Sequence, residues 1–283
     1  MNQNTKKVLV TGGCGYIGSH VARAFKNEGH TVHINDRVKR DHTLESCDVW
    51  WQDDFSSQDS LNTIVKENYD VIVHCAGTSL VGPSVLNPDE YWDNNVSKLI
   101  TLLTALKEAG QTPLMMFSGS AAVYGEPVEL PIPESHPQNS ISPYGNTKAT
   151  AEHILSDYAT AYGIPAMVFR YFNACGAEPF NSDLGQEPEA THIVARILEA
   201  VIDDKEFTIN GNDFDTEDKT CVRDYVHVWD IARAHVMGAQ HHWNEPVKFQ
   251  VMNLGTRLGI SNKQIADYVQ TKYNFNKVNY GPM

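Results

Sequence analysis

The stretch Val8-Leu9-Val10-Thr11-Gly12-Gly13-Cys14-Gly15-Tyr16-Ile17-Gly18 decides how this chain folds. Val8-Leu9-Val10 reads as a buried strand. A helical pattern follows, with Ile17, Val21, Ala24 and Phe25 on one face and Gly29 as its stop. Between strand and helix, Gly12, Gly15 and Gly18 let the chain turn tightly, let backbone approach a pyrophosphate and let the helix pack on the strand. The N–H groups at the helix start then favour phosphate. A glycine pattern alone is weak evidence, but here it lies between strand and helix. Asp36 ends the next strand, Val32-His33-Ile34, about 20 residues on, where a carboxylate can accept ribose hydroxyls. The stretch therefore predicts a dinucleotide site.

Asp36 repels a 2′-phosphate, which favours NAD over NADP. Arg37, Lys39 and Arg40 follow directly and read equally as a solvated loop or as contacts to that phosphate. Asp54-Phe55, after the third strand, flank the adenine in one reading. In the other they are a turn aspartate and a core phenylalanine.

Outward from this turn, Val71-Ile72-Val73-His74, Leu114-Met115-Met116-Phe117 and Ala166-Met167-Val168-Phe169 are the fourth, fifth and sixth strands. Continuous apolar strands separated by helices imply a parallel sheet covered on both faces, with right-handed crossovers. The expected fold is α/β: a Rossmann-type doubly wound parallel sheet with a smaller substrate lobe. After Asn173 the pattern changes. Residues 177–189 read as a loop, 191–202 as a helix and 207–210 as a short strand, and 226–239 and 249–254 return to the sheet. The expected division is 1–172 plus about 226–254 for the NAD-binding domain. About 173–225 and 255–283 form the lobe.

The bulk numbers agree with a globular chain: 283 residues, 41% hydrophobic and 20% charged. The formal net charge of −13 argues against a nucleic-acid partner and gives an anionic substrate no long-range steering. Any phosphate site must be local. Five cysteines, Cys14, Cys47, Cys75, Cys175 and Cys221, form no C-x-x-C pattern, so reduced thiols in the cytoplasm are expected. No signal peptide is visible, and no apolar run approaches the ~20 residues of a membrane span. Twelve histidines show no H-E-x-x-H pattern, and no metal site is expected.

Ser142-Pro143 reads as an N-cap and first-turn proline, which places Tyr144 and Lys148 at i and i+4 on one helix face. A free phenol, with a pKa near ~10, is a poor base at neutral pH. A nearby ammonium and an oxidised nicotinamide both favour the phenolate, so a depressed Tyr144 pKa is expected. Lys148 can also bond the nicotinamide ribose. Ser118-Gly119-Ser120 lies at the carboxyl edge of the fifth strand, and Ser120 can share the reacting proton with Tyr144. Y-x-x-x-K and a turn serine are each common accidents. Their value lies in occurring with the glycine turn in this order. His74 and His227 read as core histidines.

Seven segments in order, TGGCGYIGSH, HCAGTSLVGPSV, YWDNNV, FSGSAAVYG, SPYGNTK, RYFNACGA and CVRDYVHV, resemble the extended short-chain dehydrogenase/reductases. Among these the chain is most similar to the UDP-hexose 4-epimerases. The match runs from about residue 7 to 280. The resemblance implies NAD retained through turnover and 4-epimerisation of a UDP-sugar through a transient 4-keto intermediate. Ser120, Tyr144 and Lys148 would be catalytic. Gly12, Gly15, Tyr16, Ile17, Gly18, Asp36, Asp54, Phe55, Ala76, Gly77, Asn95, Ser118, Tyr144, Lys148 and Phe172 would contact the cofactor. Ser120, Tyr144, Asn173, His192, Asn210 and Arg223 would bind the substrate. Arg223 also reads as one half of a structural ion pair with a neighbouring carboxylate.

Related dehydratases carry an acidic pair just after the catalytic Ser or Thr; Ala121-Ala122 here offers no acid for elimination and favours plain epimerisation. Ser79 stands where many relatives have lysine, and Gly119 where serine is common. The resemblance also implies a phosphate-gripping arginine and a lobe-closing segment beyond Met283. Their absence from the sequence keeps open a second reading, a non-catalytic NAD-binding relic with weak UDP-sugar affinity. The helical stripe Val96, Leu99, Ile100, Leu103 and Leu106, and Ala151, Ile154, Leu155 and Tyr158 behind Tyr144, serve either the monomer core or the twofold axis of a homodimer.

Overall fold

Strand β1 (Lys7–Thr11) begins the fold. It is followed by α1 (Tyr16–Asn27), β2 (Thr31–Asp36), β3 (Val49–Gln52), α2 (Gln58–Glu67) and β4 (Val71–His74). Then come α3 (Val81–Leu86), α4 (Pro88–Trp92), α5 (Lys98–Glu108), β5 (Leu114–Ser120), α6 (Pro143–Tyr162) and β6 (Ala166–Tyr171). The later elements are β7 (Asn173–Cys175), α7 (Ile193–Ile202), β8 (Phe207–Asn210), β9 (Val222–His227) and α8 (Val228–Asn244). β10 (Phe249–Leu254), β11 (Gly259–Ser261), α9 (Asn262–Tyr273) and β12 (Val278–Gly281) complete the chain. This computed structural model describes residues 5–180, 184–186 and 191–282.

Seven strands form one parallel sheet in the order β10-β6-β5-β4-β1-β2-β3. Its central strands are buried almost throughout because helices cover both faces. Leu9, Ile72, Met115, Phe117 and Val168 pack against Leu61 and Ile64 of α2, Leu99, Leu102, Leu103 and Leu106 of α5, and Ala151 and Leu155 of α6. The strand order reverses between β1 and β4, and the crevice at such a switch point, outside the strand carboxyl ends, is where ligands of open α/β sheets bind. The chain divides into two compact units. The first holds the residues up to Tyr171 together with Trp229–Leu254; the second holds Phe172–Val228 and the stretch from Gly255 onward. In the second unit β9 pairs parallel with β7 and antiparallel with β11. There too β8 pairs parallel with β12, backed by Ile197, Ala200, Ala266 and Val269.

Several elements differ from their sequence expectation. The stretch 226–239 is not one element: Val226 and His227 end β9, and α8 starts at Val228. β9 itself escaped notice because Val222, Arg223 and Asp224 lack an apolar run. The helix expected over 191–202 starts at Ile193, with His192 as its N-cap. Residues 91–107 are not one continuous helix: a wider, π-type turn at Asp93–Ser97 joins α4 to α5. Of the loop expected over 177–189, residues 177–180 and 184–186 carry no helix or strand, and the rest lie outside the described residues. Among the described residues no helix is long and apolar enough to cross a membrane. All five cysteines are free.

Candidate active site

The glycine turn closes on itself tightly. Gly12 has φ +69°, a conformation that glycine adopts without steric cost, and donates its N–H to Asn35 O at 2.8 Å. A Cβ on Gly12 would lie 2.6 Å from Ala76 N, and one on Gly18 2.2 Å from Gly12 O. Gly15 is less constrained; its added Cβ would stand 3.3 Å from Gly12 O. Gly15 is the N-cap of α1, no side chain caps the helix, and the first turn, which includes Tyr16, Ile17 and Gly18, has no acidic residue. That is the condition under which helix N-terminal N–H groups bind phosphate.

Beside the turn opens a groove of about 650 Å³. Gly12, Gly15, Asp36, Asp54, Phe55, Ala76 and Gly77 line it, together with Asn35, Arg37, Asp53, Cys75 and Asn94. Asp36 is fixed by two backbone donors: Cys14 N–H to Oδ2 and Val38 N–H to Oδ1, both 2.9 Å. Each oxygen keeps a lone pair for a ribose hydroxyl. Of the cations that follow, Lys39 is engaged by Asp41 at 2.7 Å, while Arg37 lines the groove. Asp54 and Phe55 are a turn aspartate and a core phenylalanine that also border the groove. Asp54 accepts from Ser56 in a turn and from Lys98 Nζ at 2.7 Å, and Phe55 is buried edge-on to His74, yet both residues line the groove. Burial works to raise the Asp54 pKa, but the Lys98 and Ser56 hydrogen bonds outweigh it and hold the carboxyl below its usual value.

Asn95 is buried and makes three hydrogen bonds. Its Nδ2 donates to Thr78 O and to Thr147 Oγ1 of α6, both at 3.0 Å, and its Oδ1 accepts from Thr78 N–H at 2.8 Å. It ties the loop after β4 to the helix of Tyr144. Asn94 faces the groove instead. The doubled asparagine in YWDNNV was the signal for it.

The second cluster lies at the carboxyl end of β5. Ser142 caps α6 by accepting the Gly145 N–H at 3.1 Å, and Pro143 occupies its first turn. This sets Tyr144 and Lys148 on the buried face, 9% and 5% exposed. Lys148 Nζ donates to Ser118 O at 2.9 Å and stands 4.7 Å from the Phe117 ring centre and 5.8 Å from that of Tyr144. Burial pushes the Lys148 ammonium down to about 8, against the opposing pull of Cys75 and Glu152. Burial also pushes the Tyr144 phenol up, and the Ser120 hydrogen bond only partly offsets it. The depressed tyrosine pKa expected from the sequence is therefore not produced by the protein's own groups, because desolvation outweighs them. Ser120 Oγ also accepts the Ala122 N–H at 3.2 Å, which starts the short helical turn Ala121–Val123.

His74 is a core residue: 1% exposed, with Nδ1 2.8 Å from Thr11 Oγ1, and driven down to about 3 by burial. Ser79 is exposed. Among the described residues no cluster of His, Cys, Asp and Glu could hold a metal ion.

In the second unit, Asn173, His192 and Arg223 converge on a pocket of about 540 Å³, with Thr191, Cys221, Tyr225 and Asn262 also in its wall. Asn173 Nδ2 donates to Asp224 O at 3.1 Å. Burial lowers the His192 pKa. The ion-pair reading of Arg223 does not hold against Asp224, whose carboxylate accepts from Thr256 and from the Arg257 backbone; the guanidinium, exposed, donates to Val222 O at 2.8 Å. Asn210 is exposed at the end of β8 and is not part of the pocket wall. Phe172 belongs to this unit, where a Cβ on Gly255 would meet its ring at 2.9 Å.

The residues present fit a dinucleotide: two glycines that a methyl group would block, an uncapped helix start and a carboxylate held open at the end of β2. Similarity to known proteins points the same way. A UDP-glucose 4-epimerase of Lactobacillus helveticus is 41% identical over 265 residues, covering 92% of this chain and 80% of that protein. The crystal structure of a UDP-glucose 4-epimerase from Brucella ovis in complex with NAD superposes with a TM-score of 0.90 at 36% identity, over 98% of this chain and 86% of that one. A Bifidobacterium longum UDP-glucose 4-epimerase, in complex with NAD+ and UDP, gives 0.89 at 32% identity, over 98% and 86%. The family model for the NAD dependent epimerase/dehydratase family matches residues 8–255, and the chain belongs to that family.

Proposed function

We propose that this chain catalyses NAD-dependent 4-epimerisation of a UDP-hexose, interconverting UDP-glucose and UDP-galactose through a 4-keto sugar. NAD supplies the hydride acceptor, and afterwards the donor, for C4. Tyr144 takes the proton from the sugar 4-hydroxyl and later returns it, with Ser120 sharing the hydrogen bond. Lys148 holds its positive charge beside the phenol and bonds the nicotinamide ribose. The first unit serves NAD, with Gly12, Gly15, Tyr16, Ile17, Gly18, Asp36, Asp54, Phe55, Ala76, Gly77, Asn94 and Ser118 as its contacts. Asn95 acts through the loop that it holds. Phe172 is assigned to the cofactor by family resemblance, as are Asn173, His192, Asn210 and Arg223 to the UDP moiety.

The observation that carries this reading is the buried Tyr144–Lys148 pair in the same unit as a glycine-turn groove, next to Ala121-Ala122, which provide no acid for elimination. The intact Ser120, Tyr144 and Lys148 set also argues against a non-catalytic relic, because a relic has no need of buried groups with shifted pKa values. Incubation of the purified chain with UDP-galactose should yield UDP-glucose, read by separating the two sugars. No conversion by folded, NAD-loaded protein would end the proposal.

The chain works as a cytoplasmic homodimer in this reading. Its thiols are unpaired, and Ile100 of α5 and Tyr162 of α6 remain 39% and 49% exposed while Leu99, Leu103 and Leu106 serve the core. Light scattering during size-exclusion chromatography should give twice the 31.6 kDa chain mass, and a monomer would refute it.

A further inference from the structure

The reaction proposed above leaves two buried ionisable rings of the first unit, Tyr171 and His235, without a part. Tyr171 ends β6 with 6% of its surface exposed, and His235, on α8, has none. The Tyr171 hydroxyl stands 2.8 Å from His235 Nε2 and 3.1 Å from Ser118 Oγ. Ser118 Oγ is also 3.1 Å from Cys75 Sγ, and the backbone carbonyl of the same serine accepts from Lys148 Nζ at 2.9 Å. The chain just after β4, β5, β6 and α8 thus meet in one row of hydrogen bonds, centred on the serine that holds the lysine.

The His235 end of the row has a single proton order. Ile231 O, 2.9 Å from His235 Nδ1, can only accept, so Nδ1 carries the hydrogen. Burial drives the imidazole down to about 4, so at neutral pH the ring is uncharged and Nε2 holds a lone pair. The Tyr171 hydroxyl therefore donates to Nε2. Its oxygen is left to accept from the Ser118 hydroxyl, which is equally within donor reach of Cys75 Sγ. Burial raises the Tyr171 phenol well above its usual value and the Cys75 thiol to about 11, so neither ionises and disturbs the order.

We infer that Tyr171 and His235 are positioning residues for Lys148, pinning Ser118 and, through its carbonyl, the lysine amine. This rests on the reading of Lys148 as partner of Tyr144 and contact of the nicotinamide ribose. A buried cross-link that served only stability would also use these bonds, so the test must separate the two roles.

The 283-residue chain is stripped of NAD, and the NAD dissociation constant is measured by fluorescence quenching, alongside kcat and KM for UDP-galactose and the melting temperature. Tyr171→Phe and His235→Leu should each weaken NAD binding and lower kcat by about tenfold, with KM within about twofold. The double variant should be no worse than either single one, because both break the same row. His235→Gln, whose amide oxygen can accept from Tyr171, should recover to within about threefold of the parent. Variants that melt earlier yet keep NAD affinity and kcat within about twofold of the parent, or losses that multiply in the double variant, would overturn the inference. If His235→Leu does not fold, Tyr171→Phe, which removes one oxygen, decides alone. If the parent converts no sugar, the proposed function falls, and the NAD titrations still decide this inference.

Discussion

Desolvation, more than any single charge, sets the chemistry of the residues around the site. It pushes Tyr144 up and Lys148 down, so both groups are moved toward their neutral forms in the protein alone. The phenol can serve as a base only where a further positive charge offsets burial, and the family's oxidised cofactor is such a charge. Coupling of this kind favours the phenolate, the form able to accept a proton, when NAD is oxidised, the state in which a proton must be taken. The same desolvation keeps His235 neutral, with consequences for stability. Its folded value near 4 lies below the 6.5 of an unperturbed histidine, so the unfolded chain binds the extra proton first as pH falls. Stability from this ring is intact above pH 6.5 and is lost as pH drops toward 4, by about 3 kcal/mol in all. Urea unfolding between pH 7 and 4.5 should show a shallower decline for His235→Gln than for the parent, and equal slopes would contradict a neutral buried imidazole.

Among the elements, the glycine turn and α6 were legible because each is written in local chemistry. The turn needs positive φ and no Cβ at Gly12, and α6 needs its Ser142 cap and first-turn proline. Gly18→Ala should fold less stably by about 1–3 kcal/mol and purify without NAD, since its methyl group would stand 2.2 Å from Gly12 O. Retention of a full complement of cofactor, read by absorbance after denaturation, would show that the turn has more room than this geometry allows. The central strands were equally readable as apolar runs. β9 was not: it carries Arg223 and Asp224, and its stability comes from pairing with β7 and β11, far away in sequence. Asn94, which lines the groove, and the buried Asn95 both lie in the π-type turn at Asp93–Ser97. No local pattern announces such a turn. Asn210, assigned by resemblance alone, is exposed at the end of β8, a place set by the pairing with β12.

At the scale of the whole molecule, a chain of net charge −13 gains nothing from long-range attraction in binding an anionic nucleotide sugar. Affinity must come from local donors, which in the proposed reading are the start of α1 for the NAD pyrophosphate and the exposed guanidinium of Arg223 for the UDP moiety. In the proposed mechanism catalysis depends in turn on the buried Tyr144 hydroxyl. The decisive measurement is the rate of UDP-galactose to UDP-glucose conversion by Tyr144→Phe, on protein shown to be folded and to carry NAD. The account predicts a fall in kcat of about 10²–10⁴-fold with cofactor retained, and a variant that matches the parent rate would contradict it.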